Sequence, residues 1–164
     1  MSYQDFSQEI LNILEKENAD FQFFRHEPVF TKEEIFALAN RFHFKGEEMK
    51  NLLLCDKKSR NFYLVLTLAR KNRTNLEKVE ELLNEKKLKM ASPENVEKIA
   101  KAVPGCVSPF GFDDTIKIIA DNEIFEPEFL LFSAGAPDNT IELASHDLRK
   151  ILEKLPNEII FSSL

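Results

Sequence analysis

NLLLCDKKSRNFYLVLTL, residues 51–68, carries the architecture of this chain. Two nearly continuous apolar runs, Asn51–Cys55 and Phe62–Leu68, flank the polar segment Asp56–Asn61. Leucine, valine and aromatic side chains bounded by Asp, Asn and Ser predict two antiparallel strands joined by a charged turn. A half-exposed strand alternates apolar with polar residues; these runs barely do, so both faces are expected to be covered.

Toward the N-terminus, Phe6, Ile10, Leu11, Ile13 and Leu14 recur at helical spacing and predict an amphipathic helix over about residues 4–18. Phe21–Arg25 reads as a short strand. Thr31-Lys-Glu-Glu34 is a capping box, in which Thr31 accepts from the Glu34 amide and Glu34 reaches back, and it opens a helix to about Asn40. On the other side, Thr74-Asn-Leu-Glu77 reads as a second capping box with a helix to about Asn84. Ser92-Pro93-Glu94 places an N-cap before a proline at the first helical position and predicts a helix to about Ala102. Strands follow at 115–120, 123–125, 129–133 and 139–143, and a last helix begins at a Ser145 cap. Helices alternating with mostly hairpin-linked strands imply an α/β (mixed α+β) fold, a curled or barrel-like mixed sheet surrounded by helices. At 164 residues, without repeat or linker, the expectation is a single domain over 1–164.

Composition narrows the function. Cys55 and Cys106 are the two cysteines, far apart and without metal spacing, and His26, His43 and His146 are scattered, so neither a metal nor another cofactor is expected. Four glycines form neither a Walker loop nor a dinucleotide fingerprint. The opening MSYQDFSQEI has no basic or apolar leader, and no run reaches the roughly 18 apolar residues that span a bilayer, so the expected location is the cytoplasm, away from membranes. Net charge is −6, yet between Asp56 and Glu77 every charged residue is basic: Lys57, Lys58, Arg60, Arg70, Lys71 and Arg73. Such a run serves either to guard a hairpin edge or to contact phosphate.

Pro104-Gly-Cys-Val-Ser-Pro-Phe-Gly111 packs two prolines and two glycines into eight residues. Proline fixes φ and lacks an N–H, while Gly105 reaches φ values closed to other residues, so the loop has a fixed direction and presents main-chain groups. Binding loop and plain turn both fit it. Lys50, at the mouth of the first strand, suits either a solvated strand end or an ammonium over a pocket. His26 fits a structural hydrogen bond or a site role, and Cys106 is a candidate nucleophile with no assignable base.

Taken in order, His26-x-Pro28-x-x-Thr31, Lys50-Asn51, Ala91-Ser-Pro-Glu94, Gly105-x-x-x-Pro109-Phe110-Gly111 and Ser133-Ala-Gly135 resemble the YbaK/ProX family over about residues 20–150. The resemblance implies a fold like the insertion domain of bacterial prolyl-tRNA synthetases and hydrolysis of mischarged aminoacyl-tRNA. Lys50-Asn51 and the Pro104–Gly111 loop look closer to the ProX branch, which removes alanine from proline tRNA; Ser133-Ala-Gly135 is closer to cysteine-specific relatives. Where ProX-like enzymes often have His-Pro-x-x-Asn, this chain reads Gly135-Ala-Pro-Asp-Asn139. By this resemblance Lys50 and Gly105 are the catalytic pair. Asn51, Thr31, Ser108, Pro109, Gly135 and His26 contact the substrate, and the basic run contacts the tRNA. The implied partners are the acceptor end of mischarged proline tRNA and, as a further possibility, prolyl-tRNA synthetase. The rivals are a non-catalytic aminoacyl-tRNA or synthetase-binding module and a hydrolase built on Cys106.

Overall fold

The computed structural model describes residues 2–164. Its elements in chain order are α1 (Tyr3–Lys16), β1 (Phe21–Arg25), α2 (Lys32–Phe42), β2 (Glu47–Cys55), β3 (Phe62–Leu68), α3 (Leu76–Leu83), β4 (Lys89–Met90), α4 (Pro93–Ala100), β5 (Lys117–Asp121), a 3-10 turn (Asn122–Phe125), β6 (Phe129–Phe132), β7 (Asn139–Ala144), α5 (Ser145–Lys154) and β8 (Ile159–Ser162). The strands form one mixed sheet in the order β1-β7-β6-β2-β3-β5-β8, with β4 on β2. The sheet does not close into a barrel: β1 and β8 end its path.

The central hairpin pairs β2 with β3 antiparallel from Met49↔Leu68 to Cys55↔Phe62. Its two faces bury different things. Met49, Leu53, Leu64, Leu66 and Leu68 join a core closed by Phe6, Ile10 and Leu14 of α1, all three fully buried. Leu54, Tyr63 and Val65 point the other way, against Val79, Leu83 and Leu88. Each fully buried Leu or Phe is worth about 1.5–3 kcal/mol relative to exposure, so both faces hold the hairpin in place.

The outer edge of β2 is divided. Glu47 and Glu48 pair with Leu130 and Leu131 of parallel β6, and Leu54 and Cys55 pair with β4. Between them, residues 49–52 have no strand partner on that edge among the described residues. Leu53 O accepts from Ala91 N there at 2.9 Å. Main-chain groups two residues apart share an edge, so Asn51 directs its own N–H and C=O into the break.

Several local expectations are corrected. Asn75, not Thr74, caps α3, its side chain accepting from Lys78 N at 3.1 Å. The Thr74 hydroxyl is buried without a partner among the described residues. The expected strand at 123–125 is a 3-10 turn, because Asp121 accepts from Glu123 N and winds the chain at once. Ser145 does not cap α5 but is its first residue, donating to the carbonyl of Pro127. Two short strands, β4 and β8, complete the sheet beyond those expected from the sequence. No described helix is long and apolar enough to cross a membrane.

Candidate active site

The Gly/Pro loop is tied to β2 at the break in its edge. Asn51 Nδ2 donates to Val107 O at 2.9 Å, which fixes the loop against the strand. Asn51 Oδ1 is buried and has no partner among the described residues. Ser108 is fully buried and donates to Phe110 O at 3.0 Å, so its hydroxyl serves the loop's own geometry. Pro109 is buried beside it, whereas Pro104 and Gly105 are exposed.

Two glycines with positive φ do opposite jobs here. At Gly105 (φ 90°) an added Cβ would meet nothing within 4 Å, so the loop crest is bare backbone open to a ligand. At Gly135 (φ 89°) a Cβ would lie 2.9 Å from Lys101 O and 3.0 Å from the Phe6 ring. The turn around Gly135 is locked onto the loop by Val103 N→Gly135 O (2.8 Å) and Gly135 N→Cys106 O (3.0 Å). With this packing no side chain fits at 135 without a shift of the Lys101 carbonyl or the Phe6 ring. Beneath the turn, Asn139 Oδ1 accepts from Ala134 N (2.8 Å) and Ser7 Oγ donates to Ala134 O (2.7 Å). A buried network thus runs from α1 through the 134–139 turn to the loop and Asn51.

Lys50 and Asn51 are adjacent on a strand and leave it on opposite faces. Asn51 meets the loop. Lys50 Nζ donates to Lys71 O at 2.7 Å, on the face shared with Thr67, whose hydroxyl donates to Lys50 O. The group bonded to the loop is therefore the amide of Asn51, and the ammonium expected to face the turn is anchored to the segment after β3. His26 is held from both nitrogens, to Glu27 O (2.8 Å) and Thr140 Oγ1 (2.9 Å), and its main chain pairs with Asp138. The Thr31 hydroxyl caps α2 as the sequence indicates, accepting from Glu34 N at 3.1 Å.

Cys106, within the loop, is hydrogen-bonded to Ser133. Burial, the dominant cause, pushes its thiol up to about 11 against a smaller lowering by the Ser133 hydrogen bond. It is a protonated thiol at neutral pH, and the nucleophile is the thiolate. Two cavities flank the site. One of about 330 Å³ lies between α1, β1 and the 136–139 turn, with Ser7 and Asn139 in its wall. The other, of about 880 Å³, runs from Arg60 and Phe62 past Lys98 and Lys101 to Gly111 and Phe112. Neither is lined by Lys50, Asn51, Thr31 or Gly105.

The basic run is divided by the hairpin that contains it. Lys57, Lys58 and Arg60 sit at the β2–β3 turn, exposed and without ion pairs among the described residues. At the far end of β3, Arg70 bonds Glu47 and Glu126, and Lys71 bonds Asp121, Glu123 and the carbonyl of Leu164, while Arg73 is exposed and without an ion pair among the described residues. The signal for this was present in the sequence, since strands of this length part their ends by roughly 20 Å.

The loop presents bare main chain at Gly105 beside a divided sheet edge, and its one thiol, Cys106, is not activated. Residues 26–151 match the aminoacyl-tRNA editing domain model, and the chain belongs to that family. It is 26% identical over 155 residues to the prolyl-tRNA editing protein ProX of Acetoanaerobium sticklandii, covering 91% of this chain and 92% of that one. It is also 26% identical over 149 residues to the multifunctional Ser/Thr-tRNA deacylase ProXp-y of Escherichia coli K12, covering 89% and 87%. A solved structure described as a candidate trans-editing enzyme for prolyl tRNA synthetase superposes with a TM-score of 0.71 at 19% identity, covering 95% of each chain. A hypothetical protein superposes at 0.75 with 15% identity, covering 94% and 97%. The resemblance read from the sequence stands: this is an enzyme of the editing class, with charged tRNA as its partner.

Proposed function

We propose that this protein acts in trans to hydrolyse the ester of mischarged aminoacyl-tRNA, with alanine on proline tRNA as the leading substrate. The observation that carries the reading is the main chain of residues 104–107 presented across the open β2 edge, pinned by Asn51 and Gly135. Ester hydrolysis needs a positioned water, donors for the developing oxyanion and a pocket that fixes a small acyl group. Pro104 has no N–H and that of Cys106 is bonded to Val103 O, so the exposed Gly105 N–H is the donor for the oxyanion, and the substrate's ribose hydroxyl handles the proton in place of a side-chain base. Lys50 reaches the terminal phosphate only by leaving Lys71 O and turning from the face opposite the loop, exchanging a neutral carbonyl partner for an anion, which is the stronger hydrogen bond. Thr31, His26, Ser108 and Pro109 shape the surroundings. Proline is rejected by steric overlap, since one methylene of attraction separates substrates by only about 1–3 kcal/mol.

A second reading rests on Asn51 Oδ1, a buried acceptor without a donor among the described residues. The side chains of serine or cysteine offer a donor and that of alanine offers none, so a substrate of that kind would satisfy it. Incubating the protein with alanyl-, cysteinyl-, seryl- and prolyl-tRNA of proline identity and following ester loss tests both. Release of alanine with prolyl-tRNA spared is the expected result. Faster release of serine or cysteine selects the second reading, and release of none removes hydrolysis in favour of a binding module.

A further inference from the structure

The cleft of about 880 Å³ beside the loop gathers Arg60 from the hairpin turn and Lys98 and Lys101 from the end of α4. None of the three forms an ion pair among the described residues. One carboxylate, Asp113, shares the cleft: Oδ1 accepts from the Thr115 amide at 2.9 Å and from its hydroxyl at 2.6 Å, and its charge, felt by Lys101, offsets part of that of the three cations. A protein of net charge −6 thus concentrates positive charge at one groove, and exposed Lys57 and Lys58 extend it along the turn. Lysines at the end of α4 also offset the helix dipole, but that effect fades within the last turn and does not account for Arg60. The apolar wall includes Phe62 and Phe112, half-buried rings that pack against the core, Phe112 stacking on Phe6 at 5.9 Å.

Position gives the groove its direction. Gly111 and Phe112, which line it, end the same loop whose Val107 is bonded to Asn51. A strand whose 3′ end reaches the open edge at Asn51 therefore leaves over this groove. On the alternative exit Arg70 and Lys71 are already neutralised by four carboxylates, which leaves Arg73 as the one exposed cation of the run there without an ion pair among the described residues, against three unpaired cations in the groove.

Building on the proposed deacylase reading, we infer that the groove formed by Arg60, Lys98, Lys101, Phe62 and Phe112 is the docking track for the RNA backbone next to the charged 3′ end. Phosphate contacts of this kind set affinity and its salt dependence and leave the chemical step alone.

The test measures binding of uncharged proline tRNA over a salt series and, separately, steady-state deacylation of the charged form. In the variant Arg60→Glu/Lys98→Glu/Lys101→Glu, affinity should fall at least about tenfold at ~0.1 M salt, and the slope of log K against log salt should shrink by about 0.7–0.9 for each phosphate no longer neutralised. KM should rise with kcat retained. The Gln triple variant should show a smaller loss of the same kind, and it keeps the test valid if charge reversal disturbs folding. Reversal of Lys16 and Lys150, on α1 and α5 and outside the lining of the cleft, should do neither. Unchanged affinity and slope in both groove variants would overturn the inference even if the protein deacylates normally. Wild-type protein that binds tRNA through the groove and releases no amino acid would instead sink the deacylase reading and leave the docking track standing.

Discussion

The two ends of the β2–β3 hairpin begin from the same kind of sequence and finish with opposite fates. Lys57, Lys58 and Arg60 stay in solvent at the turn. Lys71, in the same acid-free stretch, is drawn over a fully buried carboxylate, Asp121, and Arg70 bridges Glu47 and Glu126. Positive charge near a sheet is free to meet a ligand only where no carboxylate has claimed it. A strand hidden on both faces fixes which end that is.

Lys71→Met gives the largest expected effect. It strands Asp121 in the core, and breaking a buried pair in this way costs about 3–5 kcal/mol. Chemical denaturation should show that loss while the salt slope of tRNA binding stays put. A variant as stable as the parent would erase the contrast between the ends.

Next comes Asn51→Ala, midway along the hairpin. Removing the donor to Val107 O leaves a carbonyl unpaired, partly offset by deleting the unpartnered Oδ1, for a net loss of about 1 kcal/mol. Deacylation should fall far more than stability does, because the loop loses its anchor to the open edge. Equal proportional effects on both would make Asn51 a structural residue alone.

Arg70→Ala should cost only about 0.2–1 kcal/mol, since both of its pairs are half exposed. Lys57→Glu with Lys58→Glu should move stability by less than about 0.5 kcal/mol and still weaken tRNA binding several-fold at low salt. Thermal melts alongside binding titrations distinguish the two ends directly.

Cys106 probes the loop side through pH. Its thiol titrates near 11 in the folded protein, above the ordinary value of 9.0. The unfolded chain therefore loses this proton first, so the contribution of Cys106 is fully present below pH 9 and is lost as pH climbs from 9 toward 11. Cys106→Ala should flatten that alkaline decline and retain deacylation at neutral pH. Abolished activity would restore the thiol as a nucleophile.

Much of the fold was legible because its signals are local. The capping box at Thr31, the Ser92-Pro93 start and the unbroken apolar runs of β2 and β3 each need only neighbours within one turn or one hairpin. Helix α1 starts earlier than its apolar spacing suggests because Ser2 pairs with Asp5 three residues on, a box the apolar pattern does not report. Strand β8 escaped because Ile159–Ser162 becomes a strand only by pairing with parallel β5, a partner about forty residues away. Thr74 misled because two adjacent residues compete to cap one helix, and packing decides between them.

Local sequence was enough for the hairpin, the helix starts, the stiff loop and, through an ordered set of short motifs, membership of the editing family. Those properties come from backbone preferences and side-chain periodicity, which act over a few residues. Three others emerged only on folding: Asn51 rather than Lys50 is bonded to the loop, Gly135 has no room for a side chain without a shift, and Arg70 and Lys71 are spent on bridging and buried carboxylates. Each depends on which distant segments the sheet brings into contact, and contact distance is a property of the folded chain.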